Sequence, residues 1–256
     1  MNTPKNFTIG FKENYYFSHM LNCIYDCKYC FLQGMFNSAN FVIFTNFNDF
    51  INEIIKKSSN KNKKICFFSG YDCDSLALEN ITNFLKVFLK SFEKIHNAYL
   101  EVRTKSTKID VLKSIKPMKN VIIAYSLNPE IIVKEFEQKT PTLKKRINSI
   151  NSLQKLGWKV GLRFDPLINY SKNKLIYKKF FEFIFSKIQV EKIHSVTTGH
   201  FRMPNNFFNK LVNIRPEDSL IFNKLKNEKL LECQTQRKEC EEELIKFIDK
   251  KKLFAN

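Results

Sequence analysis

Three closely spaced cysteines are the residues of this chain with the clearest chemical potential. Cys23, Cys27 and Cys30 follow the spacing Cys-x3-Cys-x2-Cys within one short segment. Three thiols cannot all pair with one another, but three thiolates can bind one inorganic centre from a single loop. Common iron–sulfur clusters are held by four cysteines, so a loop with three predicts a cluster with one iron open to a further ligand. An open iron is a place where chemistry occurs.

Zinc and chance burial are the alternatives to an iron–sulfur cluster. A structural zinc site usually has four protein ligands, and a catalytic one has three plus water, commonly with Cys and His mixed. His19 precedes Cys23, and no histidine follows the loop at finger-like spacing. Three buried thiols can also arise by chance in a chain with seven cysteines. The spacing favours the iron–sulfur interpretation.

Length and composition limit the class of protein. With 256 residues, 43% of them hydrophobic, the chain suits one large α/β domain or one domain with a small appendage. It contains no apolar stretch of the about 18 residues that a membrane span needs, and it starts without the apolar block of a signal peptide. Seven cysteines without disulfide-like spacing indicate a reducing cytoplasm.

The charge of the chain is strongly positive. Lys and Arg number 43 and Asp and Glu number 25, which gives a net charge of +18. Such a balance favours a nucleic acid or another polyanion as partner. The alternative is codon usage in an AT-rich genome, since Lys, Asn, Ile and Phe are all abundant. Charge alone leaves the partner open.

Short apolar runs alternate with amphipathic segments along the chain. The predicted strands are 17–22, 64–69, 98–103, 120–125, 159–164 and 193–197, with an extra strand considered at 41–45. The predicted helices are 49–57, 81–94, 111–115, 142–156 and 174–188, and a charged, mostly helical segment at 228–252. Six β/α units in series predict an α/β fold, an open partial (β/α)6 barrel with parallel strands. We expect this barrel in residues 1–200 and a mostly helical C-terminal cap in residues 201–256.

Polar and ionisable residues follow each predicted strand. They are Cys23, the run from Ser69 to Asp74, Arg103 to Lys105, Ser126 to Asn128, Asp165 with Pro166, and Thr197 to His200. Parallel α/β folds place their sites at the carboxyl ends of strands. Loops are polar in general, so this distribution supports a site there without proving one.

Four segments resemble spore photoproduct lyase and its relatives, a family of radical S-adenosylmethionine enzymes. They are residues 23–34, 74–79, 103–106 and 140–157, and the resemblance extends over roughly residues 15–215. It implies a [4Fe-4S] cluster held by Cys23, Cys27 and Cys30, with S-adenosylmethionine on the fourth iron. It also implies cleavage of the sulfonium to a 5′-deoxyadenosyl radical, which takes hydrogen from the substrate.

The same resemblance implies roles for five other residues. Ser69 and Gly70 match a glycine-rich turn beside the methionine amine, where glycine permits close backbone approach. Lys105 matches a lysine that faces the methionine carboxylate. Ser126 matches a serine near the same group, and Tyr29 an aromatic residue that packs near adenine. Lys105, Ser126 and Tyr29 each also have an ordinary structural interpretation.

The chain departs from the family at the hydrogen-transfer residues. A tyrosine follows the third cluster cysteine in the family and helps to relay the radical, but here Phe31 stands there without an O–H group. The family's hydrogen-donor cysteine corresponds to Cys73 when counted from Cys30, and to Tyr71 when counted back from Asp74. The second register needs no gaps, and Cys73 still lies close enough to donate.

Other residues carry weaker expectations. Cys66, Cys233 and Cys240 are interpreted as structural. Arg163, Asp165, His200 and Arg202 are candidates for the substrate side, with salt bridges or loop caps as the alternative. The aromatic hairpin that wedges into DNA in the family is not recognisable.

The sequence therefore predicts a radical S-adenosylmethionine enzyme, a carbon–carbon lyase acting on a DNA photoproduct or in another nucleic-acid reaction. The alternatives are the same chemistry on a modified nucleoside or small metabolite, and a non-catalytic, metal-dependent nucleic-acid-binding protein. The expected partners are DNA or another nucleic acid and an electron donor such as a flavodoxin or ferredoxin. No membrane partner is expected.

Overall fold

The chain forms a mixed α/β fold, and the computed structural model describes residues 1–4, 7–59, 63–168, 175–218, 222, 225 and 230–255. Its strands are β1 (Glu13–Phe17), β2 (Met20–Leu21), β3 (Asp26–Cys27), β4 (Val42–Ile43), β5 (Ile65–Ser69), β6 (Ala98–Thr104), β7 (Val121–Ser126), β8 (Glu137–Gln138), β9 (Lys159–Leu167), β10 (Ile193–His200) and β11 (Leu253–Ala255). Its helices are α1 (Leu32–Met35), α2 (Phe47–Lys57), α3 (Glu79–Thr82), α4 (Phe84–Phe92), α5 (Asp110–Lys113), α6 (Glu130–Phe136), α7 (Leu143–Leu156), α8 (Leu175–Lys187), α9 (Asn205–Ile214) and α10 (Leu230–Leu244). Short 3-10 turns cover Val190–Lys192, Pro216–Asp218 and Lys250–Lys252.

One parallel sheet organises the molecule. Among the described residues it has seven strands in the order β1-β5-β6-β7-β9-β10-β11, and every neighbouring pair is parallel. Spatial order thus equals chain order, as in a barrel wall that continues in one direction. This half-barrel confirms the predicted parallel α/β fold.

The central strands are apolar on both faces because the sheet is covered on both sides. Every residue of β5 and of β7 is buried, as expected for strands of a parallel sheet.

Helix α7 shows how local sequence signals set the ends of a crossover helix. The Thr142 hydroxyl accepts a hydrogen bond from the Lys145 N–H at the first turn, and Gly157 ends the helix in the left-handed region at φ 95°. Both ends are as predicted.

Two predicted elements differ from the structure: a strand in its position and a helix in its continuity. The first strand of the sheet is β1, earlier in the chain than the predicted 17–22, because Met20–Leu21 leaves the sheet and pairs antiparallel with Val42–Ile43. The predicted helix 81–94 is broken at Asn83, whose φ is +48°. The Glu79 carboxylate then accepts the Leu85 and Lys86 N–H groups at 3.1 and 3.2 Å and caps α4.

The C-terminal region contains a strand that the sequence pattern did not predict. Helices α9 and α10 agree with a helical cap, but β11 joins the main sheet beside β10, with Leu253 opposite Val196. The predicted residues 174, 228 and 229 lie outside the described residues. The division into 1–200 and 201–256 stays a prediction. In the described ranges, none of the helices has both the length and the apolar character of a membrane span.

Candidate active site

A cavity of about 740 Å³ opens where the strands of the half-barrel end; we call it the strand-end cavity. Every residue that the sequence assigned to cluster, cofactor or hydrogen transfer lines it. These residues are Cys23, Cys27, Tyr29, Cys30, Ser69, Gly70, Tyr71, Cys73, Lys105 and Ser126. The β/α topology therefore brings together residues from four separate stretches of the sequence.

Local hydrogen bonds fold the cysteine loop along one wall of this cavity. Asp26 and Cys27 pair antiparallel with Gln138 and Glu137 as strands β3 and β8. Gln33 donates to the carbonyl of Cys27 at 2.8 Å, and the Cys30 N–H donates to the same carbonyl at 2.9 Å. The loop is thus shaped by its own backbone and by one distant strand.

The thiols of the loop lie in a poorly solvated environment. Burial raises the pKa of Cys23 to about 12, and burial is also the largest cause of the raised pKa values of Cys27 and Cys30. A bare thiolate is therefore costly here, and a bound cationic centre would stabilise it.

The donor set fits a cluster better than a single ion. In the part of the chain that the structure describes, no three His, Cys, Asp or Glu side chains converge closely enough to hold one metal ion. A four-iron cluster takes each thiolate on a different iron and needs no such convergence. Because the cavity continues past the cysteines to Gly70 and Lys105, a ligand on the remaining iron would have space.

Gly70 permits the turn after β5. Its φ is +77°, and a Cβ there would lie 2.3 Å from the Ser75 hydroxyl and 3.1 Å from the Cys73 carbonyl oxygen. Only glycine avoids both the strain and the contact. The Ser69 hydroxyl donates to the Glu101 carbonyl at 3.1 Å, so Ser69 offers the cavity its backbone and not a free side chain.

Asp74 connects two strand ends, a role that the sequence pattern did not predict for it. Its Oδ1 accepts from the Leu76 and Ala77 N–H groups at 3.0 and 2.9 Å and from the Thr104 hydroxyl at 2.7 Å. Its Oδ2 accepts from the Lys105 N–H at 2.7 Å. This carboxylate fixes the backbone of Lys105 beside the Gly70 turn.

Lys105 supplies a positive charge that pairs with no carboxylate of the residues described. Its ammonium lies 5.5 Å from the centre of the Tyr29 ring, and it makes no ion pair with any described residue. Burial lowers its pKa, but the nearby Cys27 and Glu137 outweigh burial, so the net pKa is raised. A cation in such a place suits the carboxylate of a ligand.

A buried polar network that sequence reasoning missed lies behind Tyr29. The Tyr29 hydroxyl donates to Glu137, which pairs with the guanidinium of Arg146 at 2.5 Å and accepts from Asn128 at 3.0 Å. Arg146 also donates to the carbonyl of Ser126 at 3.0 Å. Tyr29 therefore presents its ring to the cavity while its hydroxyl is bound elsewhere.

The predicted substrate residues divide into two groups. Asp165, His200 and Arg202 line the strand-end cavity, and Asp165 pairs with Arg103 at 3.2 Å. Arg163 takes the alternative role, a salt bridge, because its guanidinium is buried and donates to both carboxylate oxygens of Glu101, at 3.0 and 2.6 Å. The side chains of a strand alternate between faces, and that of Arg163 points into the core.

The cysteines outside the loop also divide. Cys66, Cys233 and Cys240 are buried and do not line the strand-end cavity, as expected for the structural role predicted for them. Cys73 is only 6% exposed but borders the cavity, and Tyr71 is partly exposed there. Both candidates for hydrogen donation therefore reach the same space.

A parallel half-barrel with a three-cysteine loop at its strand ends defines the class of radical S-adenosylmethionine enzymes. The family model for spore photoproduct lyase matches residues 12–238. The chain belongs to the spore photoproduct lyase family. Both the class and the family's cofactors, a [4Fe-4S] cluster and S-adenosylmethionine, are as the sequence predicted.

Spore photoproduct lyases that match this chain share low sequence identity with it and are longer than it. A spore photoproduct lyase of Clostridium acetobutylicum is 23% identical over 209 residues, which are 81% of this chain and 62% of the relative. A spore photoproduct lyase structure complexed with dinucleoside spore photoproduct has a TM-score of 0.82 at 16% identity, over 96% of this chain and 75% of the other. A doubly substituted mutant of spore photoproduct lyase with bound AdoMet and the same dinucleoside has a TM-score of 0.79 at 13% identity, over 93% of this chain and 74% of the other.

Proposed function

We propose that this protein is a radical S-adenosylmethionine enzyme that acts on a photoproduct in DNA or on another nucleic-acid substrate. The observation that carries the proposal is the placement of Lys105, without a carboxylate partner among the described residues, and the Gly70 turn in one cavity with the three cysteines. A non-catalytic binding protein would have no need of this cofactor pocket. Since the chain spans less than two thirds of the length of the curated relatives it matches, its activity and substrate belong to the proposal.

The residues of the cavity have separable tasks. Cys23, Cys27 and Cys30 would hold the cluster, Lys105 would hold the methionine carboxylate, and the Gly70 backbone would border the methionine amine. Ser126 would assist at the carboxylate, and the Tyr29 ring would border adenine. When bound, the two cofactors supply a 5′-deoxyadenosyl radical for hydrogen abstraction. The buried walls would keep water away from it.

A nucleic-acid substrate is supported by charge and by the relatives. The net charge is +18, and Arg103 and Arg202 both line the strand-end cavity. Arginine is well suited to phosphate groups. A spore photoproduct lyase of known structure was complexed with dinucleoside spore photoproduct. A modified nucleoside or small metabolite is the second candidate, because Phe31 stands where the family has a relay tyrosine.

The partners and compartment follow from the chemistry. The cluster would need a one-electron donor such as a flavodoxin or ferredoxin. Seven free cysteines and a cluster that oxygen destroys suit a reducing cytoplasm.

The test is anaerobic reconstitution followed by incubation with S-adenosylmethionine and a reductant, with and without dinucleoside spore photoproduct. We expect a brown protein that forms 5′-deoxyadenosine and, with the dinucleoside, repaired thymines. A colourless protein that binds only zinc would contradict the class. Formation of 5′-deoxyadenosine without repair would favour the second candidate, and a screen of nucleosides for stimulated 5′-deoxyadenosine would then identify it.

A further inference from the structure

Three aromatic side chains, those of Phe31, Tyr71 and Tyr16, are in contact in series, and the first two line the strand-end cavity. The rings of Tyr16 and Tyr71 are stacked, with centroids 4.3 Å apart and planes at 25°. The ring of Phe31 leans on the same tyrosine, 5.6 Å away and at 48°. Phe31 follows directly after Cys30. Tyr71 therefore stands between the cysteine loop and Tyr16, and it borders the cavity.

The O–H and S–H groups around the cavity differ in how freely they can transfer hydrogen. The Tyr29 hydroxyl is bound to Glu137, and that of Tyr25 is bound to Ser106. The hydroxyl of Tyr71 has no hydrogen bond to any described residue, and its ring is partly exposed to the cavity. Among these phenols, Tyr71 is thus the one whose O–H bond is available to a substrate.

Cys73 is the rival donor, and its surroundings are less suitable. It is 6% exposed. The Asn22 N–H donates to the Asp72 carbonyl at 3.0 Å, which ties the neighbours of Cys23 and Cys73 together. A thiyl radical there would form beside a cluster cysteine. Tyr71 instead stacks on a second redox-active side chain, that of Tyr16.

We propose, on the basis of the proposed function, that Tyr71 returns a hydrogen atom to the substrate radical and that Tyr16 then takes over the unpaired electron. The Tyr71 O–H bond breaks and a C–H bond forms on the substrate, which leaves a Tyr71 phenoxyl radical. An electron passes from Tyr16 through the ring overlap, and the protons exchange with water because both rings are partly exposed. One electron from the flavodoxin- or ferredoxin-type donor and one proton from water restore Tyr16.

The decisive experiment uses the reconstituted enzyme with S-adenosylmethionine, reductant and dinucleoside spore photoproduct, frozen during turnover for electron paramagnetic resonance. We expect a tyrosyl signal whose hyperfine splitting narrows when the protein contains ring-deuterated tyrosine. In Tyr71→Phe, which keeps the ring and the stack, the signal and the repaired product should both be lost while 5′-deoxyadenosine still forms. In Tyr16→Phe the signal should persist on Tyr71, with slower turnover.

Two further variants complete the test. Tyr71→Cys should restore product without a tyrosyl signal, because a thiol at the same place can also donate hydrogen. Tyr15→Phe is the matched control, since the Tyr15 ring stacks on Phe67 instead, and signal and product should stay unchanged. The proposal is overturned if Tyr71→Phe keeps its repaired product, or if Cys73→Ala and not Tyr71→Phe abolishes it. If no protein forms 5′-deoxyadenosine, the proposed function fails as well, and the two failures are thereby distinguished.

Discussion

The strand-end cavity holds two sets of residues that are positioned to very different degrees. The cofactor set is Cys23, Cys27, Cys30, Gly70 and Lys105; the substrate set is Tyr71, Arg103, Asp165, His200 and Arg202. The cofactor set is fixed by hydrogen bonds from Asp74 to the Lys105 backbone and by the β3–β8 pair at Cys27. In the substrate set Arg202 is exposed and makes no ion pair with a described residue, and His200 Nδ1 has no hydrogen-bond partner among the described residues.

This contrast separates the part of the site that binds the cofactor of the whole class from the part that contacts one substrate. A cofactor shared by a whole class needs the same fixed groups, and the hydrogen bonds that Asp74 accepts from Thr104 and Lys105 fix one of them here. A substrate can itself supply partners to side chains that are free in its absence. A substitution in one set should therefore change the property of that set and leave the property of the other unchanged.

The largest effect is expected for Cys27→Ala. Removal of one of three thiolates from a loop with no spare ligand should abolish the cluster and with it all 5′-deoxyadenosine. Iron content, sulfide content and the visible spectrum after reconstitution measure this. Cys66→Ala is the control, because Cys66 is buried outside the cavity; it should lose some stability and keep its iron. Full iron content in Cys27→Ala would contradict the assignment of Cys27 as a ligand of the cluster.

The second-largest effect is expected for Gly70→Ala. The left-handed backbone costs about 1–2 kcal/mol for a residue with a Cβ, and the contact 2.3 Å from the Ser75 hydroxyl adds to it. The turn must then shift, so S-adenosylmethionine binding should be lost while the cluster is kept. Gly157→Ala has the same kind of φ, but its Cβ would meet only Pro117 at 3.9 Å. It should change melting temperature and leave S-adenosylmethionine affinity as it was.

Lys105→Met should weaken S-adenosylmethionine binding by roughly ten- to a hundredfold, the range for a charged hydrogen bond of about 1.5–3 kcal/mol. Equilibrium dialysis with labelled cofactor on the reconstituted protein gives the dissociation constant. Lys108→Met removes an exposed lysine that bonds Asn80 at 3.0 Å, and its affinity should match that of the unchanged protein. Equal affinity in both variants would place the carboxylate elsewhere.

The smallest effect is expected for Arg202→Ala, which belongs to the substrate set. Loss of one phosphate contact should weaken DNA binding modestly and reduce the slope of log affinity against log salt by about one. Fluorescence anisotropy with a short oligonucleotide at several salt concentrations measures both quantities. S-adenosylmethionine affinity should not change. If it falls as far as in Lys105→Met, the two sets are not separable.

The cofactor set was predictable from sequence because its signals are local. Cysteine spacing predicted the cluster loop, and the family resemblance together with strand-end position placed Gly70 and Lys105 in the same predicted site. The Glu137–Arg146 network was not predictable, because each residue alone is an ordinary charge on a helix or loop, and only tertiary contact makes it a buried pair. The same holds for Arg163, whose pairing with Glu101 depends on strand register.

The fold, too, was predictable only where its sequence signals are local. Six strands had clear apolar runs, but β11 has only three residues and follows a run of lysines, so its strand character comes from pairing with β10. The break of the predicted helix at Asn83 depends on the capping carboxylate of Glu79. Such elements are decided by neighbours that a linear pattern does not reveal.

The hydrogen bond between Tyr29 and Glu137 joins residues 108 positions apart. The cysteine loop is made early in synthesis, yet the strand and the carboxylate that shape it arrive only after half of the chain. A nascent chain therefore displays three cysteines before it has a pocket for them. The contacts that shape and bury this loop are therefore complete only when the chain has been made at least as far as β8.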